Sequence, residues 1–186
     1  MEIQATPKRK FNYMRTCIFT VPFLMFMMRS AAAEQNAPII NANLKDYAIY
    51  GHVEEVALMP GEIEIKARLD TGASRSSLNA RDIELVEEGG RQWVRFIFDD
   101  HEGNHHEMMQ PLVETITIKQ ASGRQHRYVV ELGLCVGEHY EKNLFTLADR
   151  SKMTYPVLVG RNFLKNSMLV SSTHKMTAKP SCEVDA

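Results

Sequence analysis

The chain has 186 residues, 44% hydrophobic and 24% charged, which is too apolar for a disordered protein and gives room for one domain with a real core. Its 22 Lys+Arg against 23 Asp+Glu leave a formal net charge of −1, which removes the electrostatic reason to expect a nucleic-acid partner. Three cysteines without a CxxC pair exclude a disulfide scaffold and a structural zinc of the usual spacing.

Residues 1–33 read as a secretory signal peptide. Lys8, Arg9, Lys10 and Arg15 form a basic start, residues 17–28 (CIFTVPFLMFMM) an apolar run, and Ala31, Ala32 and Ala33 a small-residue cleavage site. The 12-residue run is short of the roughly 20 residues a membrane-spanning helix needs, so no stable membrane span is expected after cleavage. The expected location is periplasmic or secreted. Cleavage after Ala33 removes five basic residues and one acidic residue, leaving 17 Lys+Arg against 22 Asp+Glu and a net charge of −5. In an oxidising compartment Cys135 and Cys182 are able to pair, but spacing alone does not decide it. The alternative for Cys135, which sits in an apolar strand, is a packed thiol.

Residues 34–46 are polar and turn-rich and read as a flexible leader, residues 47–174 as the folded domain, and residues 175–186 as a polar tail. Residues 62–69 alternate strictly, with Ile63, Ile65, Ala67 and Leu69 on one face of a half-buried strand. Further strands are expected at residues 92–98, 113–119, 128–136, 144–147 and 157–159, with residues 121–124 turning one into the next. Helical signals are few: a turn or two at residues 76–82 and a short helix at residues 162–166. Short strands with frequent turns make an all-β barrel or sandwich, with one or two short helices.

The first of those strands runs directly into Asp70-Thr71-Gly72-Ala73. A carboxylate at the end of an apolar strand, on a turn made tight by glycine, is fixed and partly desolvated, which makes Asp70 a candidate acid or base. Thr71 is placed to hold the turn, and Gly72 allows close approach. Some ninety residues later, residues 155–164 (YPVLVGRNFL) run an apolar strand onto Gly160, Arg161 and Asn162, which are expected to support the site.

These two motifs, in this order, resemble those of the retropepsin-like aspartic peptidases. Together with Gly51-His52-Val53-Glu54, residues 67–73, Trp93-Val94-Arg95-Phe96 and residues 147–151, they resemble the small bacterial and archaeal proteins named ATP-dependent zinc proteases, whose domain is retropepsin-like. His52 stands where an aromatic is common in that family, and Ser171 where an Asp often follows the last strand. The resemblance implies a closed β-barrel and a catalytic Asp70. Aspartic peptidases need two carboxylates sharing a proton, and this chain supplies one such motif, so a homodimer with one Asp70 from each chain is expected. Association of the family with ligases that add glutamate tails implies a peptide or polyglutamate-like substrate. A Ser or Thr at position 73 would donate a hydrogen bond toward the carboxylates. Ala73 does not, and activity is expected at milder acidity.

The family name also implies ATP and zinc. No GxxxxGK[ST] loop occurs, and no cofactor is expected. His101-Glu102-Gly103-Asn104-His105 matches HExxH literally, but that pattern binds zinc only on a helix, and Gly103-Asn104 is turn chemistry. A zinc hydrolase using His101, Glu102 and His105, and a non-catalytic peptide-binding module on the same fold, are the alternatives to the peptidase. Residues 99–106, or less favoured 88–92, are the expected flap over the substrate. Asp149 and Arg150 read either as an ion pair bracing the second motif or as part of a substrate subsite, and Arg161 as a brace for the dimer or for the Asp turn.

Overall fold

Alternation at residues 62–69 sets the architecture. In the computed structural model, which describes residues 44–120 and 123–183, Ile65, Ala67 and Leu69 are buried while Glu64, Lys66 and Arg68 face solvent. This strand, β3 (Ile63–Leu69), follows β1 (Ala48–Gly51) and β2 (Val53–Met59). After the Asp70 turn come three long strands and two shorter ones: β4 (Ser76–Glu88), β5 (Arg91–Asp99), β6 (His105–Gln120), β7 (Gly123–Val136) and β8 (His139–Ala148). The second motif gives β9 (Val157–Val159) and α1 (Arg161–Leu164), and β10 (Met168–Ser171) follows. The expected signal peptide and residues 34–43 of the expected leader lie outside the described residues.

The sheet closes on itself. β2 pairs with β3, β3 with β9, β9 with β4, β4 with β8, β8 with β7, and β7 returns to β2. The expected mainly-β closed barrel is therefore what the chain builds, and closure leaves none of these six strands as a bare edge within the ring. β5 and β6 bridge from β4 to β7 outside the ring. Phe96, Phe98, Phe145, Phe163, Leu78 and Leu147 fill the core and are essentially inaccessible to solvent.

One local expectation is overturned. Residues 76–82 do not form a helical turn but open β4, which pairs with three strands. Ser76, Leu78 and Ala80 alternate inward, a period-two pattern, and the segment is clamped between β8 and β9 with Leu78 opposite both Leu147 and Val157. Nonlocal pairing on both sides outweighs the helix-start character of the serines. The short helix expected at residues 162–166 is present as α1, one residue earlier.

The polar tail is pinned to the barrel. Met176 N donates to Val53 O at 2.7 Å, Ser181 N donates to Gly137 O at 2.7 Å, and Cys182 forms a disulfide with Cys135, their Cα atoms 6.0 Å apart. Cys135 is thus neither a free packed thiol nor a nucleophile.

Leu78→Ala is expected to lower unfolding free energy in urea by about 2–5 kcal/mol, because it empties a fully buried position. Leu85→Ala, farther along β4 where the side chain is 45% exposed, is expected to cost less than about 1 kcal/mol. Equal losses would contradict this reading of β4.

Candidate active site

Asp70 sits where β3 leaves the barrel wall. Its amide donates to Val159 O at 2.8 Å, and the preceding Leu69 amide donates to His52 O at 3.0 Å, so the strand end is held by β9 on one side and by the β1–β2 corner on the other. The turn then closes through Gly72 N to Asp70 Oδ1 at 2.9 Å and Ala73 N to Asp70 O at 3.2 Å. This is an Asx-type turn, and its first bond orients the carboxyl group. A Cβ at Gly72 would lie 3.1 Å from Asp70 Oδ1, so glycine is what permits the close approach. Asp70 itself is half-buried, and Thr71 and Gly72 are exposed.

The turn is braced by the second motif. Arg161 Nη1 donates to Thr71 O at 2.8 Å and to Gly72 O at 2.9 Å, and its amide donates to Ala73 O at 2.9 Å. Thr71 contributes its carbonyl, not its hydroxyl, to holding the turn. Arg161 braces the Asp turn of its own chain, which was one of its two expected roles.

Beneath the turn lies a buried polar knot. Ser76 Oγ donates to Asn162 Oδ1 at 3.0 Å and accepts from Asn143 Nδ2 at 2.8 Å and from Gly160 N at 3.0 Å. Ser76 N also reaches Asn162 Oδ1 at 2.8 Å, while Asn162 Nδ2 donates to Asn143 Oδ1 at 2.7 Å and to Leu144 O at 2.9 Å. Gly160 and Asn162 therefore support the site through this knot. Ser76 and Asn143 were not foreseen. The available signal was Asn143 sharing the inward phase of Phe145 and Leu147 on β8, a polar residue on an apolar face.

A cleft of about 400 Å³ opens beside the turn, with residues 72–77 as its floor and Ile116, Ile118 and Arg127 of the β6–β7 hairpin as its roof. Arg75 pairs with Glu114 and ties floor to roof. The hairpin facing the Asp turn is thus β6–β7. The expected flap at residues 99–106 lines a different groove with Pro60 and Ile63, and residues 88–92 form the β4–β5 turn.

Asp149 and Arg150 do not pair. Asp149 Oδ1 accepts from Ser151 N at 2.9 Å. Arg150 turns inward: its amide donates to Asn79 Oδ1 at 2.7 Å, Nη1 to Ser77 Oγ at 2.9 Å and Nε to Tyr155 O at 3.3 Å. Burial pulls its guanidinium below the ordinary range, as does the like charge of Arg127, while the Asp70 carboxylate pulls the other way. No carboxylate is hydrogen-bonded to Arg127 or Arg150 among the described residues; the Arg127 guanidinium bonds the side-chain oxygen of Gln125, at 3.0 and 2.9 Å.

The HExxH match does not fit a metal. It lies in the β5–β6 turn, with His101 at φ +66° and Gly103 at φ +100°. His101 Nε2 accepts from Asn79 Nδ2 at 3.2 Å, whereas His105 Nδ1 bonds Asp99. The two imidazoles serve different partners, and among the described residues no group of three or more His, Cys, Asp or Glu side chains is arranged to hold a metal ion. Buried Asp100 organises the turn, accepting from Glu102 N at 2.7 Å, Asn104 N at 3.0 Å and Asn104 Nδ2 at 2.6 Å. Burial pushes the Asp100 carboxyl up, but the bonds from Asn104 and Glu102, with His106 nearby, together outweigh it and hold the group below the usual carboxylate range. Asp99 behaves alike: burial raises it, and Arg81 and His105 more than offset the effect.

Both carboxyls are lowered on folding, so their stabilisation is complete above the unfolded value near 4 and disappears as pH falls through the lower folded values. The urea midpoint is expected to drop more steeply from pH 4 to pH 2 in the wild type than in Asp100→Asn. Parallel curves would contradict the assignment.

Comparison with known proteins places these features in context. The RimB-like family, described as retropepsin-like aspartic endopeptidase RimB, matches residues 49–181. A probable alpha-L-glutamate ligase of Shewanella halifaxensis is 31% identical over 110 residues, covering 57% of this chain and 24% of the relative. A protein of the same name from Parasynechococcus marenigrum shows the same identity and coverage. The chain thus spans about a quarter of the length of the curated relatives it matches. A solved Legionella pneumophila protein of unknown function superposes with a TM-score of 0.63 at 28% identity, covering 70% of this chain and 97% of that one.

Proposed function

The chain belongs to the RimB-like family of retropepsin-like aspartic endopeptidases, and from that premise we propose that it hydrolyses peptide or amide bonds with water activated between two Asp70 carboxylates. The observation that carries this reading is the fixed Asp70 carboxyl, aimed by the Gly72 amide on a turn clamped by Arg161, beside a cleft with a hairpin roof. One carboxylate takes the proton of the water while the other, protonated, donates to the carbonyl oxygen, and the single shared proton belongs to the pair.

The second carboxylate comes from a second copy of the chain. Among the described residues no other acid is hydrogen-bonded to Asp70, and Asp149, the nearest alternative in the sequence motifs, is exposed and bonded to Ser151. Support for association comes from the exposed Thr71 and Gly72 and from the β1–β10 sheet, where Ile49, 66% exposed, stands opposite the exposed Leu169. A closed two-fold dimer would cover such surfaces on both partners. Arg127 and Arg150, neither of them hydrogen-bonded to a carboxylate among the described residues, favour a substrate that carries carboxylates, and the name of the curated relatives points to glutamate. A peptide or polyglutamate-like chain fits both. Residues 1–33 and the Cys135–Cys182 disulfide support a secreted or periplasmic setting.

A matched pair of peptides, one bearing Glu and one Gln, tests the reading. Asp70→Asn is expected to reduce turnover by about a thousandfold or more while peptide binding persists. Arg150→Met is expected to raise KM for the Glu peptide about 10–100-fold and to leave the Gln peptide nearly unchanged. Full turnover by Asp70→Asn, or hydrolysis by a strictly monomeric protein, would refute the proposal.

A further inference from the structure

Glu54 is a fully buried carboxylate that the proposed chemistry does not use. Four donors surround it: Gly51 N at 2.6 Å and Thr177 Oγ1 at 2.6 Å on Oε1, Thr177 N at 2.8 Å and Ala178 N at 3.0 Å on Oε2. Three of the four come from the C-terminal strap, residues 172–183, which forms neither helix nor strand. A buried carboxylate stripped of such donors is strongly unfavourable, so Glu54 and the strap hold each other in place.

The strap is also one backbone step from the Asp70 turn. His174 O accepts from His52 N at 3.0 Å, and His52 O accepts from Leu69 N at 3.0 Å, with Asp70 next in the chain. Gly51 lies against the strap so closely that a Cβ there would sit 2.6 Å from His174 O and 2.6 Å from Lys175 Cα. At its far end the strap is locked by Cys182 to Cys135, across a loop of 47 residues, and a cavity of about 220 Å³ lined by both cysteines, Ala57, Met59 and Pro180 gives access to the bond.

We propose that the strap is a redox latch on the Asp70 turn: opening the Cys135–Cys182 disulfide releases the strap from Glu54 and loosens the His52–Leu69 step that positions Asp70. The functional consequence rests on the peptidase reading above. The reductant is a dithiol. Its thiolate attacks the half-exposed Cys182 sulfur and displaces the Cys135 thiolate. The second thiol then attacks the mixed disulfide and releases Cys182. The dithiol ends as a cyclic disulfide, having given up two electrons, and the two cysteines end as thiols after proton uptake. Without the cross-link, the strap opens locally while the barrel, closed by its own strand pairing, persists.

The test uses the full chain, oxidised or treated with dithiothreitol, and reads hydrogen exchange by NMR alongside turnover. Reduction is expected to speed exchange of the Thr177, Ala178, His52 and Leu69 amides at least about tenfold, leaving β7 and β8 unchanged, and to lower kcat about fivefold with KM little altered. Reoxidation restores both, and Cys182→Ser behaves as the reduced form and ignores dithiothreitol. Glu54→Gln, with the disulfide intact, is expected to accelerate the same amides. Unchanged exchange at Leu69, or loss of protection throughout the barrel on reduction, would overturn the latch. Accelerated exchange at Leu69 in a protein that cleaves no peptide in either state would leave the latch standing and refute the peptidase reading instead.

Discussion

The hydroxyl of Ser76 is the contact on which the site depends. It has one proton to give and two lone pairs to fill, and Asn162, Asn143 and Gly160 occupy all three positions. Through it, strand β4, strand β8 and the start of α1 share one buried point. Gly160 passes so close to β4 that a Cβ would lie 2.5 Å from the Arg75 carbonyl carbon, and that closeness sets where α1 begins. Arg161 then carries its guanidinium to the carbonyls of Thr71 and Gly72. The Asp70 carboxyl is aimed by the Gly72 amide, on a turn that this knot supports from below through Arg161.

That construction explains what a single chain presents. The bonds that hold the Asp70 turn lie within one chain, and among the described residues no second acid is hydrogen-bonded to Asp70, which is why the proposed centre takes two chains. The exposed side of the turn and the apolar pair Ile49 and Leu169 remain uncovered. By contrast, the β5–β6 turn is held mostly by its own side chains. His101 bonds Asn79, His105 bonds Asp99 and Asp100 accepts from Glu102 and Asn104, while the buried Nε2 of His106 stands 3.6 Å from Asp100 without a hydrogen bond.

Much of this was legible in the sequence because it is encoded locally. The alternation at Ile65, Ala67 and Leu69 specified β3 and its inward face, and an acid followed by Thr-Gly at the end of such a strand specified a tight turn. Val157 to Val159 running into Gly160 specified a strand that stops at a helix. What stayed hidden was nonlocal. Ser76 and Ser77 read as a helix start until β8 and β9 are known to flank them. The roof hairpin was misplaced because it depends on which strand folds back over the turn, and pattern alone does not say that. Glu54 stood out only as part of the Gly51-His52-Val53-Glu54 motif, and its buried role was hidden because partners arrive from Thr177 and Ala178, more than 120 residues away. The disulfide was undecidable for the same reason.

The central claim is that each chain carries one precisely held acid and that two chains make one centre. Calorimetric titration with a peptide carrying a hydroxyl-bearing mimic of the tetrahedral intermediate at its scissile position measures this most directly. The account predicts one inhibitor bound per two chains, with binding lost on dilution below the dimer dissociation constant. One inhibitor per chain, bound equally well by a monomer, would contradict it.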